Sequence, residues 1–169
     1  MQQISIELPE GYRSADVFAF HGRDAEGVAE QVTPGRIRKG VVLDGVPVAL
    51  DIALAPHQAV VEIDAGAAMT ARASRMLDDA LLNILGLRID PEPFLKASAN
   101  DALLGPVARR NAGLRIVQSA TIFEALTWAI IGQQINLPFA ISLRRSFTEQ
   151  AGRPHSSGLR CYPEALDVA

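Results

Sequence analysis

Phe123-Glu124-Ala125-Leu126-Thr127-Trp128-Ala129-Ile130-Ile131-Gly132-Gln133-Gln134-Ile135-Asn136-Leu137-Pro138-Phe139-Ala140 is an apolar helix that runs into two adjacent amides. Just upstream, Thr121 and Glu124 have the spacing of a capping box, in which a hydroxyl and a carboxylate each satisfy an orphan backbone amide. The helix therefore starts near Ile122, and Phe123, Leu126, Ile130 and Ile131 read as its core-facing side. Asn136 reads as the N-cap of a second helix, with Leu137-Pro138 in its first turn, Ile141, Leu143 and Phe147 on the inner face, and Gly152 as its stop. Gln133, Gln134 and Asn136 thus sit together where one helix ends and the next begins. Amides donate and accept hydrogen bonds at once, so this junction suits recognition of unpaired polar edges. By spacing alone, capping of the two helix ends accounts for them better.

Outward from this stretch the chain divides near residues 88–90. On the helical side, Asp90-Pro91 opens one short helix, and Asn100 or Asp101 opens another that ends before Gly113. Residues 153–160 read as a polar loop, and Tyr162-Pro163-Glu164-Ala165-Leu166 begins a further helix. Residues 1–88 carry a different pattern. Ile4, Ile6 and Leu8 alternate with polar residues, as in a half-buried strand, and Pro9-Glu10-Gly11 ends it. Ser14 is a candidate N-cap for a short helix closing at Gly22. The spans 36–43 and 46–54 flank Asp44-Gly45, a dipeptide that tolerates the positive φ angles of a type I′ hairpin. Another strand follows at 59–64, then an amphipathic helix over 67–85. The expected fold is α+β: an antiparallel sheet with flanking helices in residues 1–88, then helices alone in residues 89–169.

Composition bounds the function. With 49% apolar residues the chain can build a core, and no apolar stretch is long and charge-free enough to span a membrane. Sixteen basic against nineteen acidic residues leave a net charge of −3, which argues against a general nucleic-acid binder. The charge is uneven, however. Residues 1–88 hold 8 basic and 12 acidic groups and residues 89–169 hold 8 and 7, so only the helical part is mildly basic. The lone Cys161 reads as an inert buried thiol, and the N-terminus lacks the pattern of a signal peptide; both lead us to expect a cytoplasmic protein. His21, His57 and His155 stand in unrelated contexts, without metal, nucleophile or phosphate-loop spacing. No catalytic residue, cofactor or metal ligand is therefore expected within these residues.

The FEALTWAIIGQQIN run resembles the start of the helix-hairpin-helix domain of DNA glycosylases of the 3-methyladenine glycosylase II (AlkA) type. Phe20-His21, Arg23, Met76-Leu77, Gly113-Leu114-Arg115 and Cys161-Tyr162-Pro163-Glu164 stand in that family's order. The resemblance reverses the capping account of the glutamines. It implies an N-terminal domain similar to half of the TATA-box-binding fold, followed by a helical domain that flips alkylated bases out of double-stranded DNA. Such enzymes hydrolyse the N-glycosidic bond of 3-methyladenine and 7-methylguanine in base excision repair. Gln133, Gln134, Ile135 and Asn136 would then enter the minor groove, with Gln134 filling the gap left by the flipped nucleotide. Arg144 and Arg145, with Arg109, Arg110 and Arg115, are the candidates for phosphate contact, and Phe18, Phe20 and Trp128 for pocket walls. The family's Leu-Pro-Gly-Val-Gly hairpin and catalytic aspartate have no counterpart before Ala169. The 169 residues alone are thus expected to be inactive and to self-associate through an uncovered apolar helical face. A non-catalytic DNA-binding or protein-interaction module is the alternative.

Overall fold

A computed structural model describes residues 2–169. Five strands, β1 (Gln2–Glu7), β2 (Glu30–Thr33), β3 (Arg36–Leu43), β4 (Val46–Leu54) and β5 (Gln58–Ala65), form one antiparallel sheet in the order β1-β5-β4-β3-β2. The Asp44-Gly45 hairpin forms as its sequence predicts, with φ of 50° and 78°. Register then follows from alternation. Ile37, Ile52, Val61 and Ile4 lie opposite one another across four strands, and all but the half-buried Ile4 are buried. The next row on the same face runs Lys39, Leu50, Ile63. A lysine thus occupies a core position.

Two helices cover that face: α1 (Ser14–His21) and α2 (Ala71–Ile84). Val17 from α1 and Ala73, Leu77, Ala80, Leu81 and Ile84 from α2 complete the apolar core. The helices are tied to each other where His21 Nε2–H donates to the Ile84 carbonyl at 3.0 Å. The long helix starts at Ala71, four residues later than its periodicity suggests, because Thr70 caps it by accepting from Ala73 N at 2.9 Å. In α1 the expected cap is displaced by one residue: Ser14 is already helical and Arg13 stands at the N-cap without a side-chain bond.

The remaining helices are α3 (Glu92–Ser98), α4 (Leu104–Arg110), α5 (Ile122–Ile131) and α6 (Leu137–Ala151). Asp101 opens α4 by accepting from the amides of Leu103 and Leu104, both at 2.8 Å. The expected polar loop at 153–160 contains a small ladder, β6 (Arg153–Pro154) with β7 (Arg160–Cys161). It returns to the first half of the chain, where Tyr162 N donates to Gly40 O at 2.9 Å and Val42 N to Tyr162 O at 3.0 Å. The backbone comes so close that a Cβ on Gly40 would lie 3.1 Å from the Arg160 carbonyl, which accounts for the glycine inside a strand. The helix expected from Tyr162 onward is only a 3-10 turn, Ala165–Asp167, closed by reciprocal capping between Glu164 and Asp167.

The largest correction concerns α5. Its expected core face is only partly covered: Phe123 and Ile131 are half-buried, Leu126 is 55% exposed and Ile130 59%, and the fully buried residue is Glu124. The carboxylate also caps differently from the expected box. Thr121 Oγ1 accepts from Glu124 N at 3.1 Å, but Glu124 Oε2 accepts from Ala120 N, at 2.8 Å, in place of Thr121 N.

Candidate functional site

Helix α5 ends at Ile131 with Gly132 as its C-cap, and Gln133 N donates weakly to Ile130 O at 3.3 Å. Gln134 then turns the chain with φ of 58°, in the left-handed region that costs a side-chain-bearing residue about 1 kcal/mol. Asn136 restarts it: its Oδ1 accepts from Phe139 N at 3.0 Å and caps α6, as its sequence position predicts. Gln133 and Gln134 are exposed, Ile135 is half-buried, and neither glutamine has a side-chain hydrogen bond to another described residue. The junction therefore presents two free amides on a strained turn held between two capped helices.

At the opposite end of α5 from the turn lies a charged cluster. Lys39 Nζ bonds Glu30 Oε1 directly across the β2–β3 pair and donates to Glu124 Oε1 at 2.8 Å. Arg144 donates to the same Glu124 oxygen at 2.5 Å and to Glu30 at 3.3 Å. Two cations and two carboxylates thus neutralise one another in the interior. Burial alone would raise the Glu30 carboxyl, but Lys39, the His21 ring and Arg144 outweigh it and hold it well below the usual range. Burial likewise works against the Lys39 ammonium, and Glu124 and Glu30 overcome it and raise its pKa.

Arg144, a sequence candidate for phosphate contact, is accordingly an internal residue: its side chain is 15% exposed and both of its partners are carboxylates within the chain. Arg145 is similarly committed, to Asp24 at 2.6 Å and Glu26 at 2.6 Å. Both arginines staple α6 to the loop and strand after α1. An aromatic shelf borders the cluster. The Arg23 guanidinium stacks 3.9 Å over Phe20 and lies 5.4 Å from the Trp128 ring, while Arg144 lies 5.0 Å from Tyr162. Tyr162 Oη and Thr127 Oγ1 share a hydrogen bond at 2.8 Å. Phe20 and Trp128 are half-buried here and so remain reachable, as is Phe18.

A groove of about 790 Å3 opens at the other end of α5, between α2, residues 118–123 and the 3-10 turn, with Met76, Phe123 and Leu166 among its lining residues. It lies roughly one helix length, ~15 Å, from the glutamine turn. Among the described residues no three His, Cys, Asp or Glu side chains converge as metal ligands would. Cys161 is buried beside the Val48 carbonyl, and burial pushes its thiol up to about 11, so it is not a nucleophile at neutral pH.

Over 63 residues, 37% of this chain, the sequence is 46% identical to the DNA-3-methyladenine glycosylase of Bacillus subtilis (strain 168). The fold matches the 3-methyladenine DNA-glycosylase from Archaeoglobus fulgidus with a TM-score of 0.78 and 24% identity, over 98% of this chain. Within those 63 residues this chain is similar to a 3-methyladenine DNA glycosylase. It spans only part of both proteins: the aligned stretch is 21% of the Bacillus protein, and the fold match takes in 57% of the archaeal chain. No protein-family model matches. The α+β architecture, with its five-stranded antiparallel sheet and six helices among the described residues, is thus shared with the archaeal protein. Sequence reasoning missed Glu30 and Lys39. A signal for Lys39 existed, since it alternates with Ile37, Val41 and Leu43 on the buried side of a strand; Glu30, in an unpatterned segment, gave none.

Proposed function

We propose that this chain is part of an AlkA-type DNA repair glycosylase and that Gln133, Gln134, Ile135 and Asn136 enter the minor groove of duplex DNA beside a flipped alkylated base. The observation that carries the reading is the exposed, left-handed Gln134 between two capped helices, in a chain that shares 46% identity over 63 residues with a glycosylase. Flipping a base costs a few kcal/mol of lost stacking and pairing, and an amide set into the gap offsets part of it by bonding the orphaned partner base. The half-buried aromatic rings of Phe18, Phe20 and Trp128 suit a base alkylated at N3 or N7, which carries positive charge. In this reading residues 1–88 form the scaffold and residues 89–169 the leading helices of the domain that handles DNA.

The 169 residues by themselves bind and do not excise. Hydrolysis needs a carboxylate beside the sugar to stabilise an oxocarbenium-like transition state. The aspartates of residues 89–169 are occupied elsewhere: Asp90 and Asp101 accept from the amides that follow them, and Asp167 pairs with Arg153 at 2.6 Å. Duplex DNA containing an abasic-site analogue is the decisive probe. The chain should bind it more tightly than intact duplex and release no base from methylated DNA. Gln134→Gly, which keeps the backbone angle and removes the amide, should abolish the preference for the abasic duplex while leaving the melting temperature unchanged or slightly higher. Equal binding of both duplexes by the parent chain would overturn the reading.

A further inference from the structure

We infer that Lys39 and Glu124 are positioning residues: through α5 and Arg144 they set where the Gln133–Gln134 turn stands relative to the sheet. The inference rests on the DNA-binding reading for its purpose, but not for its geometry. What α5 and α6 bury carries it. Glu124 is the single fully buried residue of the ten in α5, and Ala140 and Thr148 are the buried residues of α6. Ile122, Leu126, Ile130, Leu137 and Phe139, which would ordinarily seat such a helix pair, are exposed. Phe123, Trp128, Ile131, Ile141 and Phe147 are only half-buried, Phe147 against Tyr162, so the apolar seat of these helices is partial and does not by itself fix one orientation on the sheet.

Charge reaches the sheet as well. One oxygen of Glu124 takes Lys39 from strand β3 and Arg144 from α6, and the other takes the Ala120 amide at the start of its own helix. Glu30 closes the ring by holding the same lysine and arginine from β2. Both helices flanking the turn are thus bound to adjacent strands through one carboxylate. Charge-assisted hydrogen bonds are directional, whereas an apolar seat lets a helix slide or rotate at small cost. The turn lies about ten residues beyond Glu124, roughly 15 Å along the helix, so a small rotation at the cluster becomes a larger displacement at Gln134. A buried cluster of this kind adds little net stability over apolar residues of the same volume, and specifying a single arrangement is its better-attested use.

Distance measurement tests this. Nitroxide labels on Ala129→Cys in α5 and Gln3→Cys in β1, both exposed positions, report the placement of α5 over the sheet, while the native Cys161 is buried away from the label. Double electron–electron resonance should give one narrow distance distribution for the parent chain. Glu124→Gln should broaden it and lower affinity for the abasic duplex about tenfold, with the circular dichroism of the folded chain retained. Should the single variant fail to fold, Lys39→Met combined with Glu124→Gln removes one charge of each sign and should show the same broadening. An unchanged distribution in the folded double variant overturns the proposal, whatever its melting temperature. A double variant that cannot fold overturns it as well, because the cluster then serves folding and not placement. If the parent chain binds no DNA, the DNA reading fails and the distance distribution still decides the positioning role.

Discussion

At the scale of single residues, Lys39 is the most consequential side chain. Its ammonium is fully buried between Glu30 and Leu50 in the cross-strand row Glu30, Lys39, Leu50, Ile63, and it is tolerable there because two carboxylates meet it. Removing one partner leaves the others uncompensated. Lys39→Met alone should cost about 3–5 kcal/mol in urea denaturation, and Lys39→Met with Glu124→Gln appreciably less. The same cluster predicts how stability depends on pH. Glu30 is depressed on folding, so its contribution is present above the ordinary carboxyl value of 4.5 and is lost as the pH falls through the folded value. Lys39 is raised, so its contribution is present below 10.5 and is lost as the pH climbs through the folded value. The melting temperature should therefore be level from about pH 5.5 to 9.5 and drop on either side. A steady climb across that interval would count against a fully ionised cluster. The pairing itself was illegible in the sequence: Glu30, Lys39, Glu124 and Arg144 are spread over 114 residues, and nothing local links them.

At the scale of elements, the caps were the legible part. Thr121, Asn136 and Asp101 each bond an amide within three residues, so their roles follow from chemistry contained in one turn of helix. Asn136→Ala should cost about 1 kcal/mol by leaving the Phe139 amide unsatisfied, measurable in the same urea experiment. Ile130→Ser should change stability by less than about 0.5 kcal/mol, since the side chain is already in water. A large loss there would mean that α5 is buried after all. Periodicity identified α5 as a helix but placed its core face wrongly in part: Phe123 and Ile131 are half-buried, whereas Leu126 and Ile130 are exposed. Eight of its ten residues are apolar, so the pattern barely distinguishes one side from another, and the buried side was chosen by a charge network lying outside the helix.

At the scale of the whole molecule, apolar side chains on α4, α5 and α6 are left open, among them Leu104, Ile122 (87% exposed) and Phe139. An uncovered surface of this kind associates with whatever apolar partner it meets. The 169-residue chain should therefore sediment as a concentration-dependent mixture of species, and Leu126→Ser with Ile130→Ser should shift it toward monomer. A single monomeric species at every concentration would contradict this. The return of Arg160–Cys161 to β3 also operates at this scale, because it laces the end of the described chain to the sheet at its beginning.

Strands β1, β3, β4 and β5, the Asp44-Gly45 hairpin, the long α2 helix and the capped junction at Gln133–Asn136 were determined by the sequence itself, because alternation, helical spacing and caps are effects of neighbours; β2 and the β6–β7 ladder carried no such pattern. The buried cluster, the solvent-facing side of α5 and the internal fates of Arg144 and Arg145 were decided only by the tertiary structure. A charge in the interior is stable only where an opposite charge arrives from elsewhere in the chain, and that arrival is a property of the fold.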